Sequence, residues 1–163
     1  MSFLRPCEDK KVLSGQLIVT FIWAAITAFG IYLSPDPHGH GTHQQLGLPP
    51  CPSVLFFNKP CPGCGLTTSW TATIHGRLGE AFQAHPLGPI LYIGLTVFAF
   101  INLWAYIKKY HVDTSGKRWM TGIVIGAVIF FGFGFTRFAL TKNYQSPGEV
   151  ANFVKRLSDA EKK

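Results

Sequence analysis

Apolar residues along this chain gather into three long blocks, about 13–33, 87–107 and 119–140, rather than into the short stripes of a water-soluble domain. Each block meets or exceeds the roughly 18 to 20 residues that a helix needs to cross a hydrocarbon core of about 30 Å. The pattern predicts an all-α integral membrane protein with three transmembrane helices. The first block is too long and too evenly apolar for the core of a signal peptide. Cys7 precedes it, which fits a plain free cysteine and not a lipoprotein anchor.

Between the first two blocks the pattern breaks down and then returns in another form. Ser34 to Gly41 carries two prolines, two glycines and two histidines with no apolar periodicity, so 34–65 reads as a long loop on the outer face. After Gly65, Leu66, Trp70, Ile74, Leu78 and Phe82 recur at every fourth position, opposite Thr67, Ser69, Thr73 and Arg77. This spacing predicts an amphipathic helix, or a broken pair, over 66–84, with Gly76 and Gly79 weakening it by roughly 1 kcal/mol each relative to alanine. It would lie at the membrane surface or enter as a re-entrant element. Beyond the third block, Ser146, Pro147 and Glu149 form a helix-start signature. Val150, Phe153, Val154 and Leu157 then form one apolar stripe, which predicts a C-terminal amphipathic helix over 147–160. The whole chain is thus expected to be a single membrane domain.

The third block contains Gly122-Ile-Val-Ile-Gly126, a spacing that lets another helix approach closely, and Ala24 and Ala28 present a similar small surface on the first block. Gly122 and Gly126 are therefore candidate helix-packing contacts. Arg137, late in the same block, is an ionisable residue at membrane depth. It is read as either a partner contact or a side chain that snorkels to the interface.

Charge changes the picture by setting orientation. The chain is 47% hydrophobic, 14% charged and carries a formal +7, yet its basic residues flank the apolar blocks instead of forming one face, so the charge speaks for membrane anchoring and against nucleic acid. Four lie at Lys108, Lys109, Lys117 and Arg118, and three more at Arg5, Lys10 and Lys11. The longer 34–85 segment has two, Lys59 and Arg77. This asymmetry places the N-terminus in the cytoplasm and the cysteine loop on the periplasmic or extracellular side. Lys142, Lys155 and Arg156 run against it.

The loop holds the residues with chemistry: Cys51-Pro52, then Cys61-Pro62-Gly63-Cys64-Gly65. A disulfide would join Cys61 to Cys64 or Cys51 to either. A redox site would use Cys61 and Cys64 for exchange and Cys51 to resolve the mixed disulfide, with the helix start after Cys64 favouring its thiolate. A metal site would treat the turn as one knuckle of a zinc ribbon, with Cys51 as third sulfur and His43 or His75 in place of the absent fourth. His38, His40 and His43 form a second candidate ligand group, because imidazoles close together bind transition metals. His75 and His85 read as structural.

Cys51, then Cys61-Pro-Gly-Cys64-Gly65-Leu66-Thr67, then Gly76 through Ala81 to His85-Pro86-Leu87 at the start of a crossing, resembles the bacterial membrane family known as domain of unknown function 2752. The family pattern is a cysteine about ten residues before CPxCGxTR, a helix, and a polar residue with Pro-Leu before a crossing. The resemblance covers about residues 46–107 and implies a protein of the bacterial inner membrane. It brings no established reaction. This chain has Thr68 where the pattern has arginine, and Arg137 is the candidate to replace it.

No nucleophile–base–acid set, phosphate loop or carboxylate dyad is visible, so an enzyme here would have to work through the cysteines. The expectation is a small non-catalytic membrane subunit that packs against lipid and other membrane proteins, with a cysteine-stabilised turn. Membrane thiol-disulfide oxidoreductase and zinc or other metal handling stand as the alternatives.

Overall fold

The computed structural model describes residues 4–6, 10–142 and 144, and those residues are mostly helical. Three helices are long and apolar enough to cross a membrane: the Leu13–Tyr32 part of α1 (Lys10–Tyr32), α5 (Gly88–Ile107) and α6 (Lys117–Leu140). At 1.5 Å per residue, the 20 residues of α5 span about 30 Å. Large apolar side chains such as Phe21, Phe29, Phe100, Ile125 and Phe135 point outward from these helices, as lipid contact requires. Cys7 and the C-terminal helix expected over 147–160 lie outside the described residues.

Helices α1 and α5 are antiparallel neighbours, joined by polar contacts within the apolar stretch. Thr27 bonds Tyr92 Oη at 2.9 Å, Trp23 Nε1 donates to Thr96 Oγ1 at 3.0 Å, and Thr20 Oγ1 donates to Ala99 O at 3.4 Å. Such bonds hold transmembrane helices together where the hydrophobic effect does not discriminate helix from lipid. At their basic end a two-stranded antiparallel ribbon pairs β1 (Leu4–Pro6) with β2 (Tyr110–Val112), in the register Leu4 to Val112. Strands of three residues carry too little periodicity to be read from sequence.

The opposite end is capped by the 34–87 segment. A 3₁₀ turn (Thr42–Leu46) and α2 (Pro52–Phe57) lead to the CPGCG turn, α3 (Leu66–Ile74) and α4 (Leu78–Ala84). Helix α3 lies against the ends of both α1 and α5. A Cβ on Gly30 would overlap Ile74, and one on Gly88 would overlap the Ser69 side chain.

Here the expected amphipathic face is only partly seen: Trp70 and Ile74 are half-buried and Thr67 and Arg77 exposed, as the stripe requires, but the deepest residues are others. Thr68, Ser69, Thr71 and Ala72 are the buried residues of α3, whereas Leu78 and Phe82 of α4 are exposed. Small hydroxyl side chains allow close approach between helices and bond backbone carbonyls, as Thr73 Oγ1 does to Ser69 O at 2.7 Å. Trp70 and Ile74 sit at the edge of this contact, Trp70 against the Tyr92 ring and Ile74 on Gly30. The expected match of Ala24 and Ala28 with the glycines of α6 also fails: α1 pairs with α5, and nothing lies within 4 Å of a Cβ placed on Gly122 or Gly126.

Candidate metal centre

The CPGCG turn closes with Cys64 N–H donating to Cys61 O at 3.0 Å, followed by Leu66 N–H to Gly63 O at 3.0 Å. Gly65 then takes φ 85° as the cap of α3, in the left-handed region that favours glycine, and a Cβ there would also overlap Ala84 O. Cys51 caps α2, with Pro52 in the first turn. Ser53 Oγ donates to Lys59 O at 3.0 Å and draws the end of the α2 loop back toward Cys51.

The result is a triangle of sulfurs. Cys51, Cys61 and Cys64 are all free, with Sγ atoms within 4.8 Å of one another, and Cys64 is buried. The disulfide expected as the brace of this turn is not formed. Hydrogen bonds of the turn itself, and the contacts below, brace it instead. Tetrahedral zinc with bonds of about 2.3 Å to sulfur sets neighbouring sulfurs about 3.8 Å apart, so three thiols this close could hold one ion with little movement.

The thiols differ in acidity. Burial pushes Cys64 well above the usual thiol range, reinforced by the Cys61 thiol beside it. Burial also opposes ionisation of Cys51, but hydrogen bonds from the Cys61 thiol, the Ser53 N–H, the Cys64 thiol and the Val54 N–H outweigh it and lower its pKa. The expectation that the start of α3 favours a Cys64 thiolate is therefore reversed: Cys64 pays the larger desolvation cost, and Cys51 is the more acidic.

Arg137 supports the turn from α6. Its guanidinium donates to Cys64 O at 3.0 Å, Ala84 O at 3.1 Å and Tyr144 Oη at 3.3 Å, with the Tyr144 ring 5.4 Å away. Burial pushes the Tyr144 phenol up to about 12 despite this cation, so it stays a neutral hydroxyl at physiological pH. Between these contacts Pro62 lies directly on Gly134, where a Cβ would overlap it. His85, fully buried, bonds Pro62 O through Nε2 at 3.0 Å and sits against Phe130 and Phe133. Burial lowers its pKa and Arg137 adds to that, which keeps the ring neutral and Nε2–H the donor.

A cavity of about 220 Å³ opens over the sulfurs, and His40 and His43 share its wall with all three cysteines. His38 is elsewhere, pairing with Asp36 at 3.0 Å and lining a neighbouring cavity with Arg77 and Glu80. The structure thus unites the cysteines, two of the three candidate histidines and Arg137. Gly122 and Gly126 take no part. Sequence reasoning singled out Thr68 only as a departure from the family pattern and missed its contact: its hydroxyl bonds Thr42 Oγ1 at 2.8 Å and ties the histidine loop to α3. It also missed Tyr144, which carries no signal beyond being aromatic.

No curated protein and no solved structure matches the chain. The family model described as Protein of unknown function (DUF2752) matches residues 51–99, from Cys51 through the CPGCG turn into α5, so over that segment the chain is similar to this family.

Proposed function

We propose that this protein is a small membrane metal-binding protein, in which Cys51, Cys61 and Cys64 hold a thiophilic ion such as zinc on the outer face of the bilayer. The observation that carries the reading is the convergence of three free thiols, from two separate Cys-Pro segments, within 4.8 Å. Thiolates select soft or borderline d¹⁰ ions, and three per site is a common zinc complement. The outer placement rests on the basic residues at the opposite end and follows the bacterial inner-membrane setting that the family resemblance implies.

Two other roles fit around this site. The subunit role is the setting in which the site would work, because Gly122 and Gly126 leave an open small-residue face on α6 where a partner helix would seat. The thiol-disulfide role is favoured by the same sulfur proximity, and an oxidising compartment would promote it in the absence of metal.

The test is intact mass and metal content on protein extracted in mild detergent, loaded with zinc and alkylated without reductant. Stoichiometric zinc that is lost on chelation, and lost in Cys61→Ser, is the expected result. Loss of two protons at a mapped cysteine pair, with no zinc retained, would replace the metal reading with thiol-disulfide chemistry. Alkylation of all three cluster thiols, along with Cys7, without zinc would leave the subunit role alone.

A further inference from the structure

Resting on the metal reading, we infer that His40 supplies the fourth ligand, so that the ion sits in a site of three cysteines and one histidine. Three thiols leave one position of a tetrahedron unfilled. His40 is 8% exposed and lines the cavity over the sulfurs. Among the described residues its ring makes no hydrogen bond; the contact it does make is to the Tyr144 ring, 4.5 Å away between centroids. The cavity gives this imidazole a route to the three sulfurs, and a ring nitrogen that no described residue engages is available as a ligand there.

The neighbouring histidines do not qualify. His38 is bonded to Asp36 and 60% exposed. His43 is less buried and already bonds Pro49 O through Nε2 at 3.2 Å. His40 is held at the site by the residues on either side of it. Thr42 Oγ1 accepts from Asp36 N–H at 3.1 Å and bonds Thr68 Oγ1, which pins both ends of the His40 segment to α3. His40 stands outside the tight sulfur group, so loading draws its ring inward across the cavity.

Cobalt(II) titration of the full-length protein in detergent separates the two readings. Thiolate-to-cobalt charge transfer in the wild type, abolished by Cys51→Ser with Cys64→Ser, reports the cysteine site. With His40→Ala the charge transfer is expected to persist while the d–d bands change and affinity falls by at least the roughly 10- to 100-fold that loss of a mere outer-shell partner costs. His38→Ala and His43→Ala are expected to match the wild type. His40→Cys supplies a ligand again and is expected to recover affinity with added charge transfer, which loss of folding in His40→Ala would not allow. An unchanged spectrum and affinity in His40→Ala, or the loss appearing in His43→Ala instead, overturns the fourth ligand and leaves the cysteine site standing. Absence of cobalt binding in the wild type overturns both.

Discussion

Arg137 shows how one side chain can settle a competition between lipid, water and protein. A guanidinium near the end of a membrane helix ordinarily snorkels, but here it meets Cys64 O, Ala84 O and Tyr144 Oη within 3.3 Å. Its fork geometry spans two carbonyls that face the same point, one from the cysteine turn and one from the end of α4, and a lysine cannot bridge both. Arg137→Lys is therefore expected to lose one charge-assisted bond, about 1.5 to 3 kcal/mol. Thermal unfolding in detergent would read this as a lower midpoint, accompanied by weaker zinc binding. A variant as stable as the wild type would mean that the arginine is a bystander. The candidate itself was legible, since a cation in an apolar run stands out, and so was the cysteine motif. What the residues touch was not. Cys64 and Arg137 are 73 positions apart, and the pairing of Thr68 with Thr42 depends on a loop folding back over α3, which no local pattern encodes.

At the scale of elements, the long helices were legible because 20 consecutive apolar residues admit few other uses, whereas the stripe on α3 and α4 named the helices but not the residues packed deepest. Reading an apolar stripe as the buried face assumes water on the other side. Beside a bilayer large apolar residues such as Leu78 and Phe82 can face outward, and small hydroxyl residues take the closest helix contacts, as Ser69 does against Gly88. The same logic separates the glycines of α6. Gly134 carries Pro62 of the CPGCG turn on its surface, while Gly126 faces open space. Gly134→Ala is expected to push α6 off the turn and cost about 1 to 3 kcal/mol, as overpacking of a tight contact does. Gly126→Ala should be neutral or slightly stabilising for the isolated chain, within the roughly 1 kcal/mol difference in helix propensity. Paired thermal melts check this, and equal effects of the two substitutions would count against α6 docking through Gly134. If Gly126→Ala instead disturbs co-purification with another protein, the open face is where that protein binds.

For the whole molecule, the arrangement of ends is what gives the cysteine site a side of the membrane. Three crossings put the N-terminal segment and the α5–α6 connection together, and the pairing of β1 with β2 joins those two segments directly. The cap that carries Cys51, Cys61 and Cys64 is at the far ends of α1 and α5, where Thr27 meets Tyr92 and Ser69 lies against Gly88. The two faces also differ in charge. Lys108, Lys109, Lys117 and Arg118 crowd the ribbon end, and the insertion bias against moving four cations across is the argument for the proposed cytoplasmic placement of that end. Labelling with a membrane-impermeant maleimide decides the matter. In intact cells stripped of accessible metal, Cys51 and Cys61 should react, since they are the two half-exposed members of the cluster while Cys64 is buried. Ser115→Cys, made with the native cysteines replaced by serine, lies in the α5–α6 connection and should react after permeabilisation alone. The reverse pattern would put the thiols in the cytoplasm. The glutathione pool would then keep them reduced without help from a metal, and the ion would be drawn from the tightly buffered intracellular supply.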